Sequence, residues 1–311
     1  MSCFGKLNKT QARKSLIAAI LSGDIDSVAR ELDRRPDVVD AHNAHGNTPA
    51  GEAVSRGDVE IVRLLVERGA DARQVNGGGS SLLDRAASAG HRAIAEYLVA
   101  CGCPYLSHHA AAIDDIDGLA RMLADDGAAA HTRDRRHATP LHHAAGGDST
   151  RCVRMLLSAG ADPQATDRHG HEPLAYAVEA NAIQAARALL DAGANCNAAA
   201  GHNGGMVLHR ALTNRHLDMA ELLLEQGASP NRRDHAGKTA LHEAIATASR
   251  KAVELVLRFD PDLTTRTRKT RMQPGGETPL DYAVRRRQSS IVELIRDAPQ
   301  QTGGPSRGLA P

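Results

Sequence analysis

Thr139-Pro140-Leu141-His142-His143-Ala144 is the stretch that decides the fold, because degraded copies of it return along the chain at a nearly constant interval. The residues equivalent to Thr139 are Thr48, Ser81, Leu106, Glu172, Met206, Thr239 and Thr278, and Lys14 opens one earlier copy. Most steps are 33 or 34 residues; the exceptions are 25, between Ser81 and Leu106, and 39, before Thr278. A fixed period of this size specifies a stack of small units, each completing its neighbour's core. It also argues against enzyme chemistry, since repetition leaves little sequence for a single catalytic cluster.

One unit, residues 139–171, reads as follows. Thr139 sits at a helix N-cap, where its hydroxyl can accept from a free backbone N–H. Pro140 follows at the first helical position, where its missing N–H costs nothing. Leu141, Ala144 and Ala145 share one helical face, and Gly146-Gly147-Asp148 breaks this short helix. A second helix runs from about Thr150 to Ser158, with Val153, Leu156 and Leu157 inward. Gly160 stops it in a position that favours left-handed backbone. Ala161-Asp162-Pro163 then leads into an extended segment that turns at Asp167–Gly170 before the next cap. The Gly-Ala stop returns at Gly69-Ala70, Gly193-Ala194 and Gly227-Ala228, and the paired leucines at Leu64-Leu65, Leu189-Leu190 and Leu223-Leu224.

These residues carry a resemblance. The Thr-Pro-Leu-His-x-Ala opening and the Gly-Ala-Asp close are similar to those of the ankyrin repeat, over roughly residues 14–297. The resemblance implies an all-α repeat solenoid, about nine helix pairs with hairpin-like fingers projecting from the stack. It also implies that His142, His209 and His242, in the opening motif, hydrogen-bond backbone between neighbouring repeats.

Composition agrees. Only 2% of the 311 residues are aromatic and none is Trp, too few for a thick globular core. Alanine and leucine dominate instead, as a core one layer wide requires. The cysteines, Cys3, Cys101, Cys103, Cys152 and Cys196, are odd in number and lack paired spacing, which points to a reduced, cytoplasmic setting. Cys152 and Cys196 fall where the repeats want small apolar residues. Leu16–Leu21 follows a basic stretch but is short, lacks a cleavage site and coincides with the first helix, so it reads as structure. No run approaches membrane-spanning length.

Departures from the period give the domain plan. Residues 1–13 read as an N-terminal tail, 14–297 as the solenoid and 298–311 as a disordered C-terminal tail. The first unit, Ser15 to Leu32, lacks the Thr-Pro opening and reads as a cap. The short step leaves no room for a full finger between Leu98 and His108, which predicts a missing finger near 101–106 and a kink dividing the stack there. The long step predicts an enlarged finger, Leu263 to Glu277.

Sixteen histidines invite a metal, and His108, His109, His131, His137, His142 and His143 lie close in sequence just after Cys101-x-Cys103. Adjacent histidines on a helix are expected to point to different sides, so each pair supplies at most one ligand, and no metal or other cofactor is expected. Gly77-Gly78-Gly79-Ser80 lacks the Gly-Lys-Ser/Thr that a phosphate cradle needs and reads as a turn. Asp114-Asp115 and Asp125-Asp126 read as solvated capping charges, and Arg285-Arg286-Arg287 as a solvated cap.

The fingers carry the functional expectation. They present Arg133, Arg135 and Arg136, then Arg168 and His169, then a neutral finger containing His202, then Arg232 and Arg233, then Arg266, Arg268, Lys269 and Arg271. Net charge is only +1, but residues 227–311 hold fifteen bases against nine acids, and residues 22–71 eleven acids against six bases. Stacked in register, the tips form an interrupted basic row. Arginine forks bind carboxylates or phosphates in two-pronged fashion, so the expected partner is a protein with an acidic or phosphorylated segment. Nucleic acid is disfavoured: the fingers lack aromatics for base stacking, and the acidic amino-terminal half repels a long polyanion. The expected function is a non-enzymatic scaffold or adaptor presenting a concave face and basic tips. The alternatives are a secreted effector that uses its repeats to bind host targets, and a metal-dependent enzyme with its site in 101–131, built from Cys101, Cys103, His108 or His109.

Overall fold

The computed structural model describes residues 3–43, 46–200, 204–270 and 275–298. Among these residues no strand forms; single bridges pair Val75 with Ser81 and Ala199 with Met206. The chain divides into two compact units, residues 1–161 and 162–311. The first holds α1 (Cys3–Ser22) and α2 (Ile25–Arg34), α3 (Pro49–Arg56) and α4 (Val59–Glu67), α5 (Leu82–Ser88) and α6 (Arg92–Ala100), α7 (Ser107–Ala112) and α8 (Ile116–Asp125), and α9 (Pro140–Gly146) and α10 (Thr150–Ser158). The second holds α11 (Pro173–Ala180) and α12 (Ile183–Asp191), α13 (Val207–Thr213) and α14 (Leu217–Glu225), α15 (Ala240–Ala246) and α16 (Arg250–Leu257), and α17 (Pro279–Arg285) and α18 (Ser289–Asp297). Each unit is an all-α repeat solenoid, and the described residues contain the nine helix pairs that the period predicts.

The seams are aliphatic and thin. In the first unit Leu16, Ile20, Val28, Val54, Val62, Leu65, Leu83, Ile94 and Leu98 form one continuous buried cluster. In the second, Leu174, Val178, Leu189, Leu208, Leu223, Leu241, Val253 and Val256 are fully buried, and Tyr282 fills the last layer. Each large aliphatic side chain contributes about 1.5–3 kcal/mol on burial, but only where an adjacent pair covers it.

The caps form by two routes. Thr48 Oγ1 accepts from Gly51 N–H at 3.1 Å, and Ser81 and Thr278 form reciprocal boxes with Asp84 and Asp281. At Thr139 and Thr239 the hydroxyl does not take the role expected of it. There His142 and His242 reach back, and their Nδ1 atoms accept from the threonine N–H groups at 3.0 and 3.3 Å. The turn after α9 also differs in detail. Asp148, not a glycine, takes the left-handed conformation (φ 53°), and Gly147 is needed because a Cβ there would strike the Ala112 carbonyl.

Three expectations about organisation change. Residues 1–13 are not a tail throughout: α1 begins at Cys3, and Ala12 continues the buried face of Leu16 and Ala19. The finger near 101–106 is indeed absent, with Cys101-Gly102 turning directly into Cys103–Leu106 and α7. Yet the division between compact units falls at Ala161–Asp162, not there. The expected C-terminal tail lies outside the described residues from position 299. Cys101, Cys103, Cys152 and Cys196 are free thiols; Cys152 is buried in α10, but Cys196 is half-buried in the turn after α12, not in the core.

Candidate functional site

Three of the fingers are built on an acid that faces inward. Asp134 Oδ1 accepts from the N–H groups of Arg136 and Ala138 at 2.8 and 2.9 Å, tying the loop into a turn. Its Oδ2 accepts from His143 Nε2 at 3.0 Å. Burial pushes this carboxyl up, but the bonds from His143, Ala138 and Arg136 prevail and hold it at about 2. Asp167 repeats the arrangement, accepting from His169 and His171 N–H groups at 2.8 and 2.9 Å and from the Tyr176 hydroxyl at 3.0 Å. Asp234 accepts from Lys238 N–H at 2.8 Å, and Asn76 plays the part in an earlier finger through Gly78 and Ser80. The acids are thus withdrawn into the finger bases, five residues ahead of the next cap, a spacing that marks them in the sequence and that the tip arginines overshadowed.

The predicted partner-binding residues take the following places. In the first unit Arg133, Arg135 and Arg136 are exposed, and Arg133 Nη1 donates to His137 O at 2.7 Å within its own finger. Arg135 lies against Gly79, two fingers back in the ordinary period, across the place of the missing finger; Gly79 has φ +80°, and a Cβ there would displace the Arg135 guanidinium. In the second unit Arg168 and His169 are exposed, with Arg168 Nε donating to His169 Nε2 at 3.0 Å. Arg232, Arg233, Arg266 and Arg268 are all exposed and stand on adjacent fingers. Arg233 Nη2 donates to Arg266 O at 2.7 Å and Arg268 N–H to Ala236 O at 2.6 Å, which joins the two fingers that carry these four arginines. Arg266 also leans inward, donating to Gly276 O at 2.6 Å and lying 3.6 Å from Asp281. Arg271 and His202 lie outside the described residues. Arg285 and Arg286 are not free caps: both rest on the Tyr282 ring, and Arg286 also donates to Ala246 O at 3.0 Å.

Among the opening-motif histidines, His209 and His242 do what the resemblance implies. His209 and His242 each turn Nε2 to a carbonyl of the following finger, Lys238 O and Glu277 O, at 3.3 Å. Burial lowers the pKa of both, so they are neutral Nε2–H tautomers.

His109 holds the same motif position but faces the gap, and here one expectation is corrected. His108 and His109 do converge: their Nε2 atoms lie 3.7 and 2.8 Å from Asp84 Oδ1, and donor atoms of the three residues fall within 4.8 Å of one another. The two side chains are long enough to meet over the short α7 despite leaving the helix in different directions. The set is nevertheless a poor fit to a cation. Leu106 N–H donates to His109 Nδ1 at 3.1 Å, which puts the ring proton on Nε2 and makes it a donor to Asp84. A metal on Nε2 needs the opposite tautomer, with Nδ1–H facing an acceptor. Cys103 is turned away, its thiol against Ala72 O at 3.3 Å and its pKa raised chiefly by burial.

The repeat geometry and the sequence comparisons coincide. The family profile described as ankyrin repeats (three copies) matches residues 16–106, 107–200 and 208–302. This chain belongs to the ankyrin-repeat family. An ankyrin repeat protein of Acanthamoeba polyphaga mimivirus is 31% identical over 98 residues, covering 31% of this chain and 13% of that protein. Protein phosphatase 1 regulatory subunit 27 of Mus musculus is 37% identical over 83 residues, covering 27% of this chain and 54% of the relative. The matches therefore span about half of these curated relatives or less. Among solved structures, an ankyrin repeat domain from Acinetobacter baumannii matches with TM-score 0.55 and 28% identity, over 62% of this chain and 96% of that one. A chain from the complex of a predatory endopeptidase with an immunity protein of Bdellovibrio bacteriovorus matches with TM-score 0.54 and 25% identity, over 62% and 97%. Ankyrin repeats are a protein-binding fold, generally without enzymatic activity. No helix among the described residues is long and apolar enough to cross a membrane.

Proposed function

We propose that this ankyrin-repeat chain is a non-enzymatic adaptor that holds a protein partner by an acidic segment, using its basic finger tips. The observation that carries the reading is the cluster of Arg232, Arg233, Arg266 and Arg268, joined across adjacent fingers by the Arg233–Arg266 bond. The finger-base acid on the same finger as Arg232 and Arg233, Asp234, is engaged by the Lys238 N–H. A scaffold already in its bound shape loses little entropy on ordering, so modest contacts from several fingers sum to useful affinity. Charge complementarity adds selectivity and faster encounter at low salt. The likeness to a phosphatase regulatory subunit and to a chain of an endopeptidase–immunity protein complex supports a protein guest.

The test is affinity capture with mass spectrometry from native lysate, comparing the wild type with the triple variant Arg168→Glu, Arg232→Glu and Arg233→Glu. Acidic partners captured by the wild type at low salt should be lost by the variant, with its melting temperature preserved. Unchanged capture of every partner sinks the finger-tip reading and leaves the fold untouched.

A further inference from the structure

The missing finger leaves a notch. Between α3 and α5, at the foot of the gap that Arg135 bridges, an open depression of about 260 Å³ is lined by Ser55, Ser80, Asp84, Arg85, Ser88 and Arg136. All belong to the first compact unit. This volume lies just below the 300–1,000 Å³ of ordinary small-molecule pockets, and suits one side chain better than a free ligand.

Its charges are unevenly used. Both oxygens of Asp84 are engaged, Oδ1 by His109 Nε2 at 2.8 Å and Oδ2 by Ser81 N–H at 2.8 Å. Burial pushes this carboxyl up, yet the bonds from His108, His109 and Ser81 hold it well below the usual carboxylate range, so it stays ionised. Arg85 makes only neutral bonds, to Asn47 Oδ1 at 3.4 Å and Ser55 Oγ at 2.5 Å. Arg136 contributes its backbone N–H to Asp134 and lines the notch. Among the described residues neither arginine is ion-paired. Two arginines against one committed carboxylate leave room for a single negative charge, and Ser80 and Ser88 also line the notch. An ionised Asp84 on the same wall disfavours a dianion such as phosphate.

We propose that this notch is the anchor point for the guest: it accepts the carboxylate of one Asp or Glu side chain from a partner segment lying over the first unit, gripped by Arg136 and Arg85. The gap admits that side chain where a regular repeat would have placed a finger. The proposal deepens the finger-tip reading and rests on it for the acidic character of the partner.

The experiment follows the side-chain Nε resonances of Arg85 and Arg136 in the full chain by NMR. N-acetyl-glutamate α-amide is titrated as the probe, with N-acetyl-glutamine amide and inorganic phosphate in parallel. Saturable shifts at Arg136 with the glutamate probe, absent with the glutamine probe, are the expected result. Arg136→Gln should weaken the glutamate probe about tenfold, the loss of one charge-assisted pair, while Arg121→Gln, at an exposed arginine of α8, leaves it unchanged. Ser88→Glu, which tethers a carboxylate at the notch wall, should abolish probe binding without lowering the melting temperature. Equal shifts with the neutral probe, indifference to Arg136→Gln, or tighter binding of phosphate overturn the proposal. Loss of the notch with charge-dependent capture intact removes the anchor alone. A working notch with charge-independent capture instead removes the cluster at Arg232 and Arg233 from partner binding.

Discussion

His109 and Asp84 are joined by a hydrogen bond of 2.8 Å whose direction is set elsewhere, by the Leu106 N–H that occupies the other ring nitrogen of His109. His209 and His242 use the same tautomer to hold the finger that follows them; His109 holds the helix of the unit before it. A motif residue keeps its proton and changes its acceptor because the short step brought Asp84 within reach.

That pairing predicts the response to metal and to mutation. Excess zinc, or a chelator, should leave the melting temperature unchanged, because binding requires His109 to give up its bond to Leu106. Asp84→Asn turns one N–H donor toward another and should cost about 1–3 kcal/mol, the price of an unmet buried group. Calorimetry reads both; stabilisation by stoichiometric zinc contradicts the assignment.

Stability should fall in acid by two steps. Burial depresses the folded pKa of His109, His209 and His242 below 6.5, so the unfolded chain binds protons first. Their contribution is present above 6.5 and is lost as pH falls below it. Asp134, held at about 2 against an ordinary 3.8, adds a second loss as pH falls from 3.8 toward 2. Denaturant midpoints between pH 8 and pH 2 measure both, and a His209→Gln variant should show a shallower first step.

Gly79→Ala should destabilise the first unit by about 1–2 kcal/mol, since alanine is strained at positive φ and its Cβ meets the Arg135 guanidinium. Limited proteolysis should then cut within 131–138, where the wild type resists.

Glu172 occupies a cap position that threonine fills elsewhere. Burial raises its pKa, helped by Asp162, and its Oε2 is buried without a partner. Glu172→Thr should raise stability by about 1 kcal/mol, the usual worth of a good cap. A lower melting temperature would show that Glu172 contributes more to the cap than its unmet oxygen costs.

The fold was legible because the helix pairs are local and repetitive: Thr139-Pro140, Leu156 and Gly160 mark one unit, and their copies mark the others. The short step also announced the missing finger. What the spacing did not reveal was its consequence. Arg135 reaching Gly79, and His108 meeting His109 over Asp84, are contacts between repeats within the first unit, and a period says nothing of how side chains settle once one element is left out. The finger-base acids were visible at Asp134, Asp167 and Asp234, but a turn residue and a buried acceptor look alike until the N–H groups around it are placed.

A ladder of identical rungs offers an extended guest no reason to prefer one alignment over the next, since sliding by a whole unit remakes the same contacts. The absent finger between Leu98 and His108 removes that degeneracy. On the proposed reading, one rung unlike the rest would fix where a bound segment begins, and an irregularity in the count would serve as the index mark for the surface of the first unit.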